Sequence, residues 1–255
     1  MTDPILEVRN VSKTFREHGG RRFTALDDVS LTVGAGECVA VVGESGSGKS
    51  TLARIVTRLC TPDRGSVRLC GTELTTARGA ALRRAYDDMK MIFQEPRSSF
   101  DPRLRLGDSI REALPPGTGH RRAQDAEIVR LLHEAGLDGR FAGMYPREVS
   151  GGECQRAAIA RAIARKPRLL ICDEATSALD VSVQAQVMEL LTRVRKETGV
   201  ACLFISHDLA LVSSFCDRVC VLRGGRVVEE GPTAELLRAP REDYTKRLLA
   251  SVLTV

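Results

Sequence analysis

The chain has no tryptophan, and aromatic side chains make up only 4% of its 255 residues. That scarcity argues against a stacking platform for single-stranded nucleic acid. No dense lysine or arginine block appears and the net charge of +5 is mild, so a solvated surface is expected rather than a nucleic-acid face. The eight cysteines lack paired CxxC spacing. Several sit in apolar runs such as Leu169-Leu170-Ile171-Cys172 and are expected as small buried hydrophobes in a reducing compartment, not as a disulfide or zinc framework. Cys216 and Cys220 have the spacing to meet on one helical face, but two ligands do not make a metal site. No uninterrupted apolar run approaches the ~18 residues that span a bilayer. Met1-Thr2-Asp3-Pro4 has neither the charge nor the apolar core of a signal peptide. A cytosolic or peripheral location is therefore expected. Repeats and low-complexity stretches are also absent, and 43% hydrophobic with 28% charged residues describes an ordinary globular chain.

What is present is an alternation of strand and helix. Ile5 to Val11 alternates apolar and polar residues as a half-buried strand does, and Leu31 to Val33 is a second candidate. Cys38 to Val42, Met89 to Phe93, Leu169 to Asp173 and Ala201 to Ser206 are continuous apolar runs, suited to strands buried on both faces of a parallel sheet. Helical patterns cover Lys49 to Leu59, Ala123 to Ala135, Gly151 to Arg165 and Val181 to Glu197, with Pro62 and Pro167 as stops. Arg218 to Leu222, Gly224-Gly225 and Arg226 to Glu229 suggest a closing hairpin. The expected fold is α/β, with ligands at the strand carboxyl ends. Residues 1–95 and 161–231 would form the core, 96–160 a helical insertion and 232–255 a helical extension.

Gly43-Glu44-Ser45-Gly46-Ser47-Gly48-Lys49-Ser50 fits the phosphate-loop pattern G-x-x-x-x-G-K-[ST], between a strand and a helix as that pattern requires. Backbone N–H groups would cradle phosphates, Lys49 would reach the β- and γ-phosphates, and the Ser50 hydroxyl would bind Mg²⁺. Asp173 at the tip of its strand is placed to hold the Mg²⁺ shell, and Glu174 to polarise an attacking water. Gln94 and His207 follow two other strands. Taken singly each is more often structural, but both fall on the edge that carries Gly43 and Asp173. About a hundred residues after the phosphate loop, Ser150-Gly151-Gly152-Glu153 opens a helical run. A Ser and two Gly at a helix start make a second anion site. Two phosphate sites far apart in one chain suggest two chains clamping ATP between them. Ser150 and Glu153 also fit a capping box, in which Glu153 bonds back to the Ser150 N–H.

In this order the elements resemble the nucleotide-binding subunit of ATP-binding cassette (ABC) transporters, over nearly the whole chain. The resemblance implies a P-loop core of ABC type with an inserted helical subdomain and an antiparallel β edge. It implies that residues 43–51, with Thr51 closing the motif, bind ATP. Phe15 would stack on adenine, a core aromatic being the alternative. Glu174, His207 and Gln94 would serve catalysis, with Ser50, Gln94 and Asp173 around Mg²⁺. Ser150, Gly151, Gly152 and Glu153 would complete the partner's ATP site, and Asp180 would lie at the dimer seam. Glu153 departs from the glutamine usual in the family. Gln94 to Arg103, Ala178 to Gln186 and Tyr244 to Leu249 are similar to the peptide and nickel importer branch. The implied partners are a second ABC subunit, identical or paralogous, two integral membrane permease subunits and, indirectly, an external solute-binding protein. The implied place is the cytoplasmic face of the membrane. The alternative is a soluble ABC-type ATPase of DNA repair, translation or enzyme assembly.

Overall fold

A computed structural model describes residues 3–16 and 22–252. Met1, Thr2 and the last three residues of the expected extension lie outside them. In chain order come β1 (Leu6–Arg16), β2 (Arg22–Val33), β3 (Cys38–Val42), α1 (Lys49–Val56), β4 (Arg64–Leu69), β5 (Thr72–Glu73), α2 (Gly79–Asp88) and β6 (Met89–Ile92). The insertion holds α3 (Leu106–Ala113), α4 (Arg121–Glu134) and the start of α5 (Gly151–Ile163). Then follow β7 (Leu169–Asp173), α6 (Val181–Thr198), β8 (Ala201–Ile205), α7 (Leu209–Phe215), β9 (Arg218–Arg223), β10 (Arg226–Pro232), α8 (Thr233–Arg238) and α9 (Asp243–Val252).

Two sheets form. A six-stranded sheet has the order β10-β9-β3-β8-β7-β6, parallel except for the β9–β10 hairpin. An antiparallel sheet has the order β2-β1-β4-β5. Every residue of β3 is buried, and its alternation divides the core. Cys38, Ala40 and Val42 join the cluster shared with α3 to α7. Val39 and Val41 face α1 and the antiparallel sheet. A strand's side chains point to opposite faces in turn, so this single run joins two hydrophobic layers. The insertion shares the first of these layers, since Ile110, Ile128 and Leu131 are continuous with β3.

Several elements depart from the sequence-based expectation. β1 and β2 run to 11 and 12 residues, because register shifts let polar residues such as Lys13 and Thr14 stay paired. The sequence pattern gives no sign of β4, β5, α2 and α7, while α3 falls inside the expected helical insertion. β4 carries Arg64, Gly65 and Arg68 within six residues, which breaks the alternation that marks a strand. α1 stops at Val56, and Arg58 adopts a left-handed φ of 60°, so the chain turns well before Pro62. The tail is two helices, separated near Pro240. Cys216 and Cys220 share no helix: Cys216 follows α7 and Cys220 lies in β9. The Cys216 thiol instead packs 3.4 Å from the Cys38 Sγ. α5 crosses residue 160, so the insertion and the core share one helix.

Candidate functional site

The phosphate loop leaves the carboxyl end of β3 and enters α1. Gly43 passes so close to β9 that an added Cβ would lie 2.1 Å from the Leu222 carbonyl oxygen. Only glycine fits there. The loop is braced from the hairpin, where the Gly225 N–H donates to the Ser47 carbonyl at 2.9 Å. Lys49 is buried, and its ammonium donates to the carbonyls of Gly43 and Glu44 at 2.8 and 2.9 Å. Burial lowers its pKa, while Glu174 and Asp173 oppose that shift.

Opposite the loop, the Ser50 hydroxyl donates to Asp173 Oδ1 at 3.3 Å. Burial pushes the Asp173 carboxyl above its ordinary range; the Ser50 bond works against this and the Glu174 charge adds to it. An all-oxygen pair with a carboxylate strained by a like charge suits a hard divalent cation such as Mg²⁺, which would relieve that strain. Glu174 adopts a left-handed φ of 49°, rare for a residue with a Cβ and frequent at functional sites. Its N–H donates to the Ile205 carbonyl at 3.0 Å, and its own carbonyl accepts from the Ser177 N–H and hydroxyl. The carboxylate thus faces β8, with Oε1 3.4 Å from His207 Nδ1. The His207 side chain is 60% exposed, leaving its ring free to meet a ligand from solvent.

Ser150 and Glu153 form the capping box expected of them. Glu153 Oε2 accepts from the Ser150 N–H and from its hydroxyl, both at 2.8 Å, and the Ser150 Oγ accepts the Glu153 N–H at 3.3 Å. These bonds hold the Glu153 carboxyl below the usual glutamate range. The two glycines differ. A Cβ on Gly151 would make ordinary contact with Leu179, whereas one on Gly152 would lie 2.1 Å from Val183 Cγ1 on α6. Gly152 therefore has a packing reason to be glycine as well as any ligand-binding one. Asp180 caps α6, accepting from the Val183 N–H at 3.0 Å and the Ser182 hydroxyl at 2.7 Å, which lowers its pKa.

The fold thus gathers Lys49, Ser50, Asp173, Glu174 and His207 at one sheet edge, with Ser150 to Glu153 making no hydrogen bond to the loop of their own chain among the described residues. Gln94 follows β6, next to β7, exposed and without a hydrogen bond among the described residues. Phe15 is 41% exposed, which removes the core-aromatic alternative. It pairs across the strands with Phe23, itself 44% exposed, and Lys13 Nζ lies 5.5 Å from its ring centroid. Gln155 escaped notice in the sequence. It is fully buried, and its amide donates to the carbonyls of Phe93 at 3.4 Å and Ala175 at 2.7 Å. α5 thereby ties together the segments carrying Gln94 and Glu174. The available signal was a polar side chain among Cys154, Ala157 and Ala158.

A family model described as ABC transporter matches residues 26–177. The chain belongs to the ABC transporter family. A probable peptide ABC transporter ATP-binding protein of Sinorhizobium fredii is 45% identical over 98% of this chain and 73% of its own length. A glutathione import ATP-binding protein of Pectobacterium atrosepticum is 42% identical over 98% of this chain, which spans only 41% of that relative. Among solved structures, a dimeric ATP-binding cassette in a post-hydrolysis state with ADP and Pi superposes with a TM-score of 0.81, at 30% identity, over 89% of this chain and 98% of that one. A Clostridium perfringens component of the cbiONQ ABC transporter complex shares the ABC fold, with a TM-score of 0.80 at 24% identity over 93% and 92%. ATP binding follows from membership of the family. No helix among the described residues is long and apolar enough to cross a membrane.

Proposed function

We propose that this chain is the ATP-hydrolysing subunit of an ABC importer for a peptide-class solute. Two such subunits, identical or paralogous, would close head-to-tail over two ATP·Mg²⁺. The observation that carries the reading is division of the site. Lys49, Ser50, Asp173, Glu174 and His207 converge on one edge, while Ser150 and Gly151 open a capped helix that makes no hydrogen bond to its own phosphate loop among the described residues. Relatives named for peptide and glutathione import favour uptake over the soluble ATPase functions.

Lys49 would exchange its two loop carbonyls for β- and γ-phosphate oxygens. Ser50 and Asp173 would hold Mg²⁺, with Gln94 turning in from the next strand end. Bound there, Mg²⁺ would neutralise charge developing on the phosphates. Glu174 would orient and deprotonate the attacking water, and His207, held by Glu174, would contact the γ-phosphate. Phe15 would stack on adenine. Ser150, Gly151 and Gly152 would bind the γ-phosphate of the partner's ATP, Glu153 would lie beside it, and Asp180 would line the seam. Cleavage would remove the shared phosphate and let the pair reopen. Two permease subunits, fed by an external solute-binding protein, would receive that motion at the cytoplasmic face of the membrane. The stretch from Gln94 to Arg103 suits docking, since it is exposed in part yet pinned. Arg97 donates to the Val149 carbonyl at 2.7 Å, and Arg161 donates to the Ser99 carbonyl at 2.7 Å while stacking 4.1 Å from the Phe100 centroid.

The test is Glu174→Gln, with Lys49→Ala as the control that cannot bind ATP. Glu174→Gln should bind ATP, lose turnover by roughly 10²–10⁴-fold as expected for a general base, and accumulate as a dimer in size-exclusion chromatography. Hydrolysis at the wild-type rate would refute the role of Glu174.

A further inference from the structure

Tyr244 is one of three tyrosines in the chain and lies in α9, beyond the segment that the family model matches. It is 5% exposed, and its hydroxyl accepts the N–H of Glu44 in the phosphate loop at 3.1 Å. Glu44 N–H and Gly43 C=O belong to one peptide unit. Lys49 Nζ donates to that carbonyl at 2.8 Å, so the unit is gripped at both ends. A peptide is planar, and two partners on opposite sides fix its rotation. Without the tyrosine oxygen, the orientation of this unit would depend on Lys49, the group that must leave when phosphate arrives.

The hydroxyl is presented from a firm seat. The Arg223 guanidinium at the end of β9 stacks 4.9 Å from the Tyr244 centroid. The start of α9 is held by Glu229 of β10, whose carboxylate accepts from the N–H groups of Arg241 and Glu242 at 2.8 and 3.2 Å. β9 and β10 form the hairpin whose Gly225 also braces Ser47. The extension and the hairpin therefore grip the phosphate loop at two points.

We propose that Tyr244 is a positioning residue of the ATP site, its hydroxyl holding the Gly43–Glu44 peptide while Lys49 transfers from the loop carbonyls to the nucleotide. The inference rests on the ATP site described above and extends that site into the C-terminal helix. Its contribution is preorganisation: the loop need not be ordered anew on binding.

Tyr244→Phe in the full chain keeps the ring and its seat and removes only the oxygen. Losing one hydrogen bond of ordinary net strength should raise the Kd and KM for ATP roughly two- to tenfold, with kcat within about twofold of wild type. Hydrogen exchange at the Glu44 amide should quicken in the nucleotide-free protein. Wild-type Kd together with wild-type exchange would overturn the proposal, as would a loss confined to kcat. If the wild-type chain itself bound no ATP, the nucleotide site would fall and this inference with it; an indifferent Tyr244→Phe beside a binding wild type removes the inference alone.

Discussion

At the scale of single residues, Asp173 sits where its charge costs the nucleotide-free fold stability. Its carboxyl is raised by burial and by Glu174, so the native state binds its proton more tightly than the unfolded chain does. Stability from this group is full below the ordinary aspartate value and is lost as pH rises through the raised one. At neutral pH the ionised group is thus a cost to the nucleotide-free protein. Asp173→Asn should raise the unfolding temperature of that state, and its advantage should widen as pH rises from the acid side. The same variant should lose Mg²⁺-dependent hydrolysis. Equal unfolding temperatures at neutral pH would contradict the assignment. Residues of this kind were legible in the sequence because motif spacing alone carries them: Gly43 to Ser50, Asp173 with Glu174, and His207 after an apolar run. Gln155 and Tyr244 were not, since each acts on a carbonyl or N–H remote along the chain, and spacing carries no trace of such partners.

At the scale of elements, α5 and α6 meet through Gly152 and Val183. Valine is stiff about χ1 in a helix, so a methyl at 152 cannot be absorbed by a simple side-chain swing. Gly152→Ala should destabilise by about 1–3 kcal/mol, as overpacking does, lowering the unfolding temperature by roughly 2–10 °C. The double variant Gly152→Ala/Val183→Ala should recover most of that loss, a coupling that a double-mutant cycle measures. An undiminished unfolding temperature in Gly152→Ala would show the helices are not in this contact. The buried strands β3, β7 and β8 were plain in the sequence because each is a continuous apolar run. β4 and α2 were not, because their buried positions are few and set beside arginines, and tertiary packing rather than pattern decides them.

At the scale of the assembled molecule, Glu153 bears on how two subunits would close. Its carboxylate holds the Ser150 hydroxyl and is ionised well below neutral pH. In the closed pair it would face the partner's γ-phosphate, offsetting part of the helix N-terminal field. Such a field contributes about 0.3–1 kcal/mol per charge. In a Glu174→Gln background, Glu153→Gln should therefore dimerise at an ATP concentration lower by roughly two- to fivefold. Sedimentation velocity over an ATP titration would show it, and an unmoved midpoint would exclude it.

Lys49 spends the nucleotide-free state with its ammonium already satisfied by the Gly43 and Glu44 carbonyls. At the proposed site, then, a nucleotide does not fill a hungry cation but must outcompete two resident acceptors. A monophosphate, too short to reach the ammonium, would leave it where it is and gain nothing from it. A longer phosphate chain would displace both carbonyls with charged oxygens. At the proposed site the loop would thereby respond to the length of what enters it, and a spent diphosphate would keep only the β-phosphate share of that hold.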